Sequence, residues 1–180
     1  QAACNELGVP ILLRASGGAA IVAGPGCLMY AVILDLERRP ELAMVDRAHA
    51  WVLGNMVQAL RPLVPNVSCA GTSDLVLLPD DAVAPDGTCG KADHRARKFS
   101  GNSLRVRRRA LLYHGTLLYD FDASALATWL GPCTREPAYR QGRSHEKFVT
   151  NLPVDREKLV AALTSAWQAR EPLPESARRQ

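Results

Sequence analysis

Lys98-Phe99-Ser100-Gly101-Asn102-Ser103-Leu104-Arg105-Val106-Arg107 is followed, after Arg108-Arg109, by Ala110-Leu111-Leu112-Tyr113-His114-Gly115-Thr116-Leu117-Leu118-Tyr119-Asp120. Both runs alternate in part between apolar and polar side chains, and the break between them is short. That pattern predicts two paired strands, Lys98–Arg107 and Ala110–Asp120. The runs also carry two candidate functional groups, Lys98 near Gly101 and His114 in an otherwise apolar stretch.

Working outward, Pro10–Arg14 reads as a short strand leading to a Gly17-Gly18 turn. Ala19–Val22 and Cys27–Leu34 read as strands either side of Gly24-Pro25-Gly26. Met44–Leu60 has Val45, Ala48, Val52, Met56 and Leu60 at spacings of three or four, which predicts an amphipathic helix stopped by Pro62. Asp74–Leu78 reads as a short strand, and Pro79–Gly90 as a loop rich in Pro, Asp and Gly. Ser124 is placed to cap a short helix carrying Leu126, Trp129 and Leu130, and Gly131–His145 reads as a polar loop. Asp155–Arg170 predicts a further helix with Leu159, Leu163, Ala166 and Trp167 on one face, and Glu171–Gln180 a polar tail. Interleaved strands and helices without an internal repeat give an α/β (α+β) class around one mixed sheet flanked by helices.

The 180 residues, 47% hydrophobic and 22% charged, suit one globular domain and exclude a disordered chain. The longest apolar stretch, Ala19–Leu34, is broken by Gly24-Pro25-Gly26, which argues against a membrane span. No basic start followed by an apolar block marks a signal peptide, and the abrupt entry into Gly8-Val9-Pro10 suggests that sequence precedes Gln1. Cys4, Cys27, Cys69, Cys89 and Cys133 are odd in number and lack CxxC spacing, which fits reduced thiols in a cytoplasm. The histidines, at 49, 94, 114 and 145, give no metal-ligand spacing. Net charge is +4, and Lys91 to Arg109 holds eight Lys or Arg against Asp93, so this stretch calls for an anionic partner. Phe99 is the only aromatic close by, which argues against a nucleic-acid strand held by stacking.

Five local patterns could carry chemistry. Arg14-Ala15-Ser16-Gly17-Gly18-Ala19 offers unobstructed backbone N–H groups and a guanidinium to an anion; an ordinary glycine turn reads equally from these residues. Asp74, after Gly71-Thr72-Ser73, could hold Mg2+ against phosphates or cap its own turn. Lys98 beside Gly101 can set an ammonium over a carbonyl or phosphate oxygen, or belong to a solvated basic face. His114 before Gly115 is a base or a satisfied core histidine. Cys133 after Pro132 is a nucleophile if a cation lies near, or an inert loop thiol.

Taken in order, Arg14-Ala15-Ser16-Gly17-Gly18, Asp74, Lys98-Phe99-Ser100-Gly101-Asn102, His114-Gly115-Thr116-Leu117-Leu118 and Thr150-Asn151-Leu152 resemble the successive motifs of lipoate–protein ligases, over roughly Val9 to Trp167. The resemblance implies a biotinyl/lipoyl-ligase catalytic fold over 1–170; the 171–180 tail follows, and the room after Thr150-Asn151-Leu152 is expected to hold one helix and not the accessory domain of full-length ligases. It implies that lipoate or octanoate and ATP form an acyl-adenylate, which an acceptor lysine then attacks. It makes Lys98 the essential lysine and puts Asp74 on the Mg2+ and phosphate side. It gives Arg14, Ser16, Gly17, Gly18, Ala19, Ser100, Gly101, Asn102, Arg105, His114, Gly115 and Thr116 to the acyl-adenylate. The acceptor would be an acidic lipoyl-carrier domain. Ala15, Ala19 and Ser73 stand where the family usually has arginine, glycine and asparagine. Gly24-Pro25-Gly26-Cys27-Leu28 and Pro132-Cys133 resemble octanoyltransferases of the same superfamily, which implies the alternative of a Cys133 thioester with acyl carrier protein as donor. Biotin–protein ligase, which shares the fold, is the third reading, and a non-catalytic binding protein on the same fold is a further one.

Overall fold

The computed structural model describes residues 2–82, 93–130 and 136–172. Its centre is a five-stranded sheet, ordered β1-β5-β4-β3-β2: β1 Cys27–Asp35, β2 Val67–Ala70, β3 Asp74–Leu77, β4 Arg97–Val106 and β5 Ala110–Leu118. Neighbouring strands pair antiparallel, and a parallel bridge from Val149 to Lys98 adds the mixed element. The helices are α1 Ala2–Glu6, α2 Val45–Leu60, α3 Ser124–Trp129, α4 His145–Phe148 and α5 Arg156–Ala166. Among the described residues no helix is long and apolar enough to cross a membrane.

The β4–β5 hairpin follows the sequence reading, with Ser103 opposite His114 and Asn102 opposite Gly115. On β5, Leu111, Tyr113, Gly115 and Leu117 are buried, whereas Leu112, His114 and Thr116 are half-buried on the opposite face. Leu28, Tyr30, Val32 and Leu34 of β1 share the buried face, while Met29 and Ile33 point out and are exposed. The two faces are covered differently. α2 and α5 pack on one, enclosing Val52, Met56, Leu60, Leu75, Phe99, Tyr113, Leu117, Leu159 and Leu163. α3, α4 and a 3₁₀ turn at Ala138–Arg140 cover one end of the other, around Val76, Leu118, Phe121, Leu126, Tyr139 and Phe148.

In α2, Ala48, Val52, Met56 and Leu60 are fully buried at a spacing of four. Burying such side chains contributes about 1.5–3 kcal/mol apiece for the larger ones. This face holds the helix although its N-cap, Met44, makes no side-chain hydrogen bond. Val45, expected on the buried face, is exposed. α5 begins at an Asp155 cap, whose Oδ1 accepts from the Lys158 N–H at 2.9 Å. It closes on Trp167, whose indole meets Trp51 edge-on at 5.8 Å and donates to Met56 Sδ at 3.4 Å. Ala166 is exposed.

Several expectations are corrected. Pro10–Arg14 and Ala19–Val22 are not strands. Ile11, Leu12 and Leu13 are exposed, so no burial fixes a pleat there, and side chains rather than a ladder take the carbonyls that follow. β2 was not foreseen; its four residues are too few to show a period. The cap of α3 comes from Asp122, whose Oδ1 accepts from the Ser124 N–H at 2.9 Å, and not from the Ser124 side chain. The Gly131–His145 loop contains, in its described part, the Ala138–Arg140 turn and the start of α4. Cys69 is disulfide-bonded, against the expectation of reduced thiols throughout, whereas Cys4 and Cys27 are free.

Candidate active site

The placement of Lys98 depends on an irregularity in strand register. Asp74 faces Gly101 and Leu75 faces Ser100, but Val76 faces Lys98, so β4 carries one extra residue at Phe99. Strict alternation would put Lys98 and Gly101 on opposite faces of the sheet. The bulge reverses the phase and puts them on the same one. Phe99 and Ser100 are both buried as a result, and Lys98 lies along Gly101. A methyl at Gly101 would stand 3.0 Å from Lys98 Nζ and 3.1 Å from its Cε. The upstream end of β4 is fixed by Thr150, whose N–H donates to the Lys98 carbonyl at 2.9 Å. Asn151, next in line, brackets the Phe121 backbone with bonds of 3.0 Å in each direction.

Asp74 opens β3 beneath the Lys98 ammonium. Its Oδ1 is 2.7 Å from Lys98 Nζ, and its Oδ2 accepts the Tyr139 hydroxyl at 2.8 Å. Asp74 is buried, while the lysine side chain keeps 29% of its exposure and so remains reachable. A pair like this adds little net stability, since desolvation offsets the attraction, but it fixes where the cation sits. The expectation that Asp74 holds Mg2+ meets a different arrangement, because both carboxylate oxygens are already engaged by an ammonium and a phenol. Among the described residues no group of three or more His, Cys, Asp or Glu side chains could hold a metal ion.

The Arg14–Ala19 loop lies against the same face of β4 and β5. Ser16 Oγ is 2.5 Å from His114 Nε2, and Ser103 Oγ donates to the Gly17 carbonyl at 2.9 Å. Arg105 Nη1 donates to the Ala15 carbonyl. Arg14 does not reach out as an anion fork. It curls back, donating from Nε and Nη2 to Gly17 O at 3.0 and 2.8 Å and from Nη2 to Ala19 O at 2.6 Å. Gly18 permits this twice over: its φ is +97°, and a methyl there would stand 2.7 Å from Arg14 Nη2. His114 is a half-buried residue of this face and not a core histidine. Burial, then the Arg14 charge, holds its pKa below the ordinary histidine value, so the ring stays neutral at neutral pH. Thr116 continues the row, hydrogen-bonded to the half-buried Cys27 thiol, whose pKa burial pushes up.

Lys98, Gly101, Arg105, His114 and Thr116 thus share one face, with Ser16, Gly17 and Gly18 laid against it. Ser100, Asn102 and Gly115 turn to the other. Ser100 is buried. Asn102 donates from Nδ2 to Ser73 O at 2.8 Å and accepts the Tyr30 hydroxyl on Oδ1 at 2.6 Å. Gly115 leaves room for that amide, since a methyl would stand 1.8 Å from Asn102 Oδ1. The sequence block around Lys98 is therefore split between two faces. Cys133 lies outside the described residues. Tyr139 and Ser103 were not singled out in the sequence: Tyr139 falls in a stretch read only as polar loop, and Ser103 sits among more conspicuous neighbours.

Solved structures that share this fold include several lipoate–protein ligases. A bi-partite lipoate protein ligase and its E2 lipoyl domain from Thermoplasma acidophilum gives a TM-score of 0.65 at 18% identity, covering 97% of this chain and 66% of that one. Lipoate-protein ligase A bound with ATP gives 0.62 at 17%, covering 98% and 68%. P. falciparum LipL1 in complex with lipoate gives 0.58 at 16%, covering 95% and 44%. At such identities the likeness is one of fold, and the chain spans less than two thirds of the first and third of these proteins. The lipoyl protein ligase A/B catalytic domain family matches residues 1–165, and the chain belongs to that family.

Proposed function

We propose that residues 1–170 form one catalytic unit that activates lipoate or octanoate with ATP and passes the acyl group to a lysine of an acidic lipoyl-carrier domain. The observation that carries this reading is the convergence of Lys98, His114 and the Ser16-Gly17-Gly18 loop, far apart in sequence, on one face of the sheet. In the first step the acyl carboxylate attacks the α-phosphorus of ATP, pyrophosphate leaves, and a mixed anhydride forms. In the second the acceptor amine attacks the acyl carbonyl, AMP leaves, and an amide forms. Both steps build negative charge on oxygen. Lys98 meets that charge with a fixed ammonium, and the backbone N–H groups of the Gly17-Gly18 loop would take the phosphate. Ser16 and His114 hold the loop down, and Arg105 anchors its start at Ala15. Asp74 orients Lys98 and carries no metal in this account. Mg2+ would enter with the nucleotide phosphates.

The test offers the chain an acceptor lipoyl domain with lipoate and Mg-ATP, or with octanoyl-carrier protein and no nucleotide, and follows acceptor mass. The reading expects a lipoyl adduct that requires ATP and survives Cys133→Ser. ATP-independent transfer through a hydroxylamine-labile adduct on the chain, lost in Cys133→Ser, would replace it with the transferase reading.

A further inference from the structure

The Lys98 ammonium has a defined place only if Asp74 has one, and Asp74 is held from behind. We infer that Tyr139 is a positioning residue for the proposed acyl-transfer site: its hydroxyl fixes the Asp74 carboxylate, and through it the Lys98 ammonium. This inference rests on the function proposed above. The relay is continuous, with Tyr139 OH to Asp74 Oδ2 at 2.8 Å and Asp74 Oδ1 to Lys98 Nζ at 2.7 Å. A carboxylate held on one oxygen can turn about its Cβ–Cγ bond, whereas a donor on each oxygen sets its plane. The phenol is a dependable donor, because burial and the neighbouring Asp74 charge raise its pKa far above neutrality.

Tyr139 is itself tied to the entry of β4, the strand that carries Lys98. Arg143 donates from Nη2 to the Tyr139 carbonyl at 2.9 Å and to the Ala96 carbonyl at 3.0 Å. The Tyr139 ring packs on Phe148 at 5.2 Å, and the Arg140 and Arg143 guanidiniums lie over Phe148 at 5.0 and 5.2 Å. On its other side Gly71, at φ +55°, leaves ordinary contact distance to the ring: a methyl would stand 3.5 Å from Tyr139 Cε1. Both ends of the relay are therefore tied to one corner, made by the Ala138–Arg140 turn, α4 and the start of β4. A buried tyrosine that only filled space would not need its hydroxyl on Asp74.

Tyr139→Phe keeps the ring and removes the hydroxyl. Losing a hydrogen bond to a charged group should lower kcat about tenfold, with KM for the acyl substrate changed much less. Tyr139→Phe combined with Asp74→Asn should be no slower than Asp74→Asn alone, since the hydroxyl acts through that carboxylate. A second readout needs no turnover. Acetic anhydride labelling of Lys98, followed by peptide mass, should rise several-fold in Tyr139→Phe, while Lys158, paired with Asp155 at 2.9 Å, serves as the unchanged internal standard. Arg143→Lys, which loosens the turn without touching the relay, should raise Lys98 labelling by a smaller factor and stands in if Tyr139→Phe does not fold. Unaltered Lys98 labelling, or losses from Tyr139→Phe and Asp74→Asn that multiply in the double variant, would overturn the inference. Altered labelling in a chain that never acylates an acceptor would uphold the positioning and sink the acyl-transfer reading instead.

Discussion

Gly101→Ala tests the site through a single methyl group. The new Cβ would stand 3.0 Å from Lys98 Nζ and 3.1 Å from Cε, while ordinary contact begins near 3.4 Å. The lysine end must therefore move by at least about 0.4 Å, and by nearly 1 Å to reach a relaxed separation. The movement is away from the face that the ammonium must present, and it disturbs a 2.7 Å contact with Asp74. A misplacement of about 1 Å at a reacting centre costs on the order of 10²-fold, so kcat should fall between about 10- and 100-fold. The fold should tolerate the change: the methyl meets the flexible end of a side chain rather than backbone, and alanine replaces a residue that weakens strands by roughly 0.5–1 kcal/mol. Steady-state acylation of a lipoyl domain together with a urea melt separates the two effects. Wild-type kcat in Gly101→Ala, with the methyl shown in place by a crystal structure, would refute the claim that the Lys98 ammonium must sit where Gly101 allows it.

Gly115→Ala should behave in the opposite way. Its methyl would stand 1.8 Å from Asn102 Oδ1 and 2.9 Å from the Gly101 carbonyl, so the β4–β5 pairing must open, and a urea melt should show a loss of about 1–3 kcal/mol or more. Burial holds the His49 and His114 pKa values below the ordinary histidine value, so the unfolded chain binds more protons than the folded one below about pH 6.5. Stability should accordingly fall on acidification from pH 7.5 to 5.5, and a higher urea midpoint at pH 5.5 would contradict the burial of neutral rings. If the acceptor is acidic and meets the basic run Lys91–Arg109, acylation below saturation should slow with added salt as screening shortens to about 8 Å near physiological ionic strength; a rate indifferent to salt would contradict such an encounter.

Much of the fold could be read from periodicity, because burial enforces it. The β4–β5 hairpin, β1, α2 and α5 follow the patterns that mark them, and their boundaries differ from the reading by a few residues. The failures have a common source. Ile11-Leu12-Leu13 is as apolar as a strand, but nothing in the fold buries it, and composition alone does not show which apolar run finds a partner. The site shows a related limit. The order of the motifs brought Lys98 and Asp74 forward, but their contact depends on a one-residue bulge at Phe99, and register is a property of two strands together. The same bulge separates Lys98 and Gly101 from Ser100 and Asn102, which a linear motif cannot do. Tyr139 was out of reach for another reason: its function lies in a contact across 65 residues, and no local pattern marks it.

The central claim is that Lys98 is a fixed cation at the reacting oxygen rather than one charge among many on a basic face. Single-turnover acylation of a lipoyl domain, at saturating acceptor, lipoate and Mg-ATP, measures this most directly when Lys98→Ala is compared with Arg108→Ala, an exposed arginine on the β4–β5 turn. Removing one preorganised electrostatic contact costs on the order of 10²–10³ in rate. Lys98→Ala should therefore lose that much with its melt unchanged, Lys98→Arg should recover little because a planar guanidinium directs its donors differently, and Arg108→Ala should stay within about twofold of the parent chain, as expected for an exposed charge. Equal and modest losses in Lys98→Ala and Arg108→Ala would contradict the account.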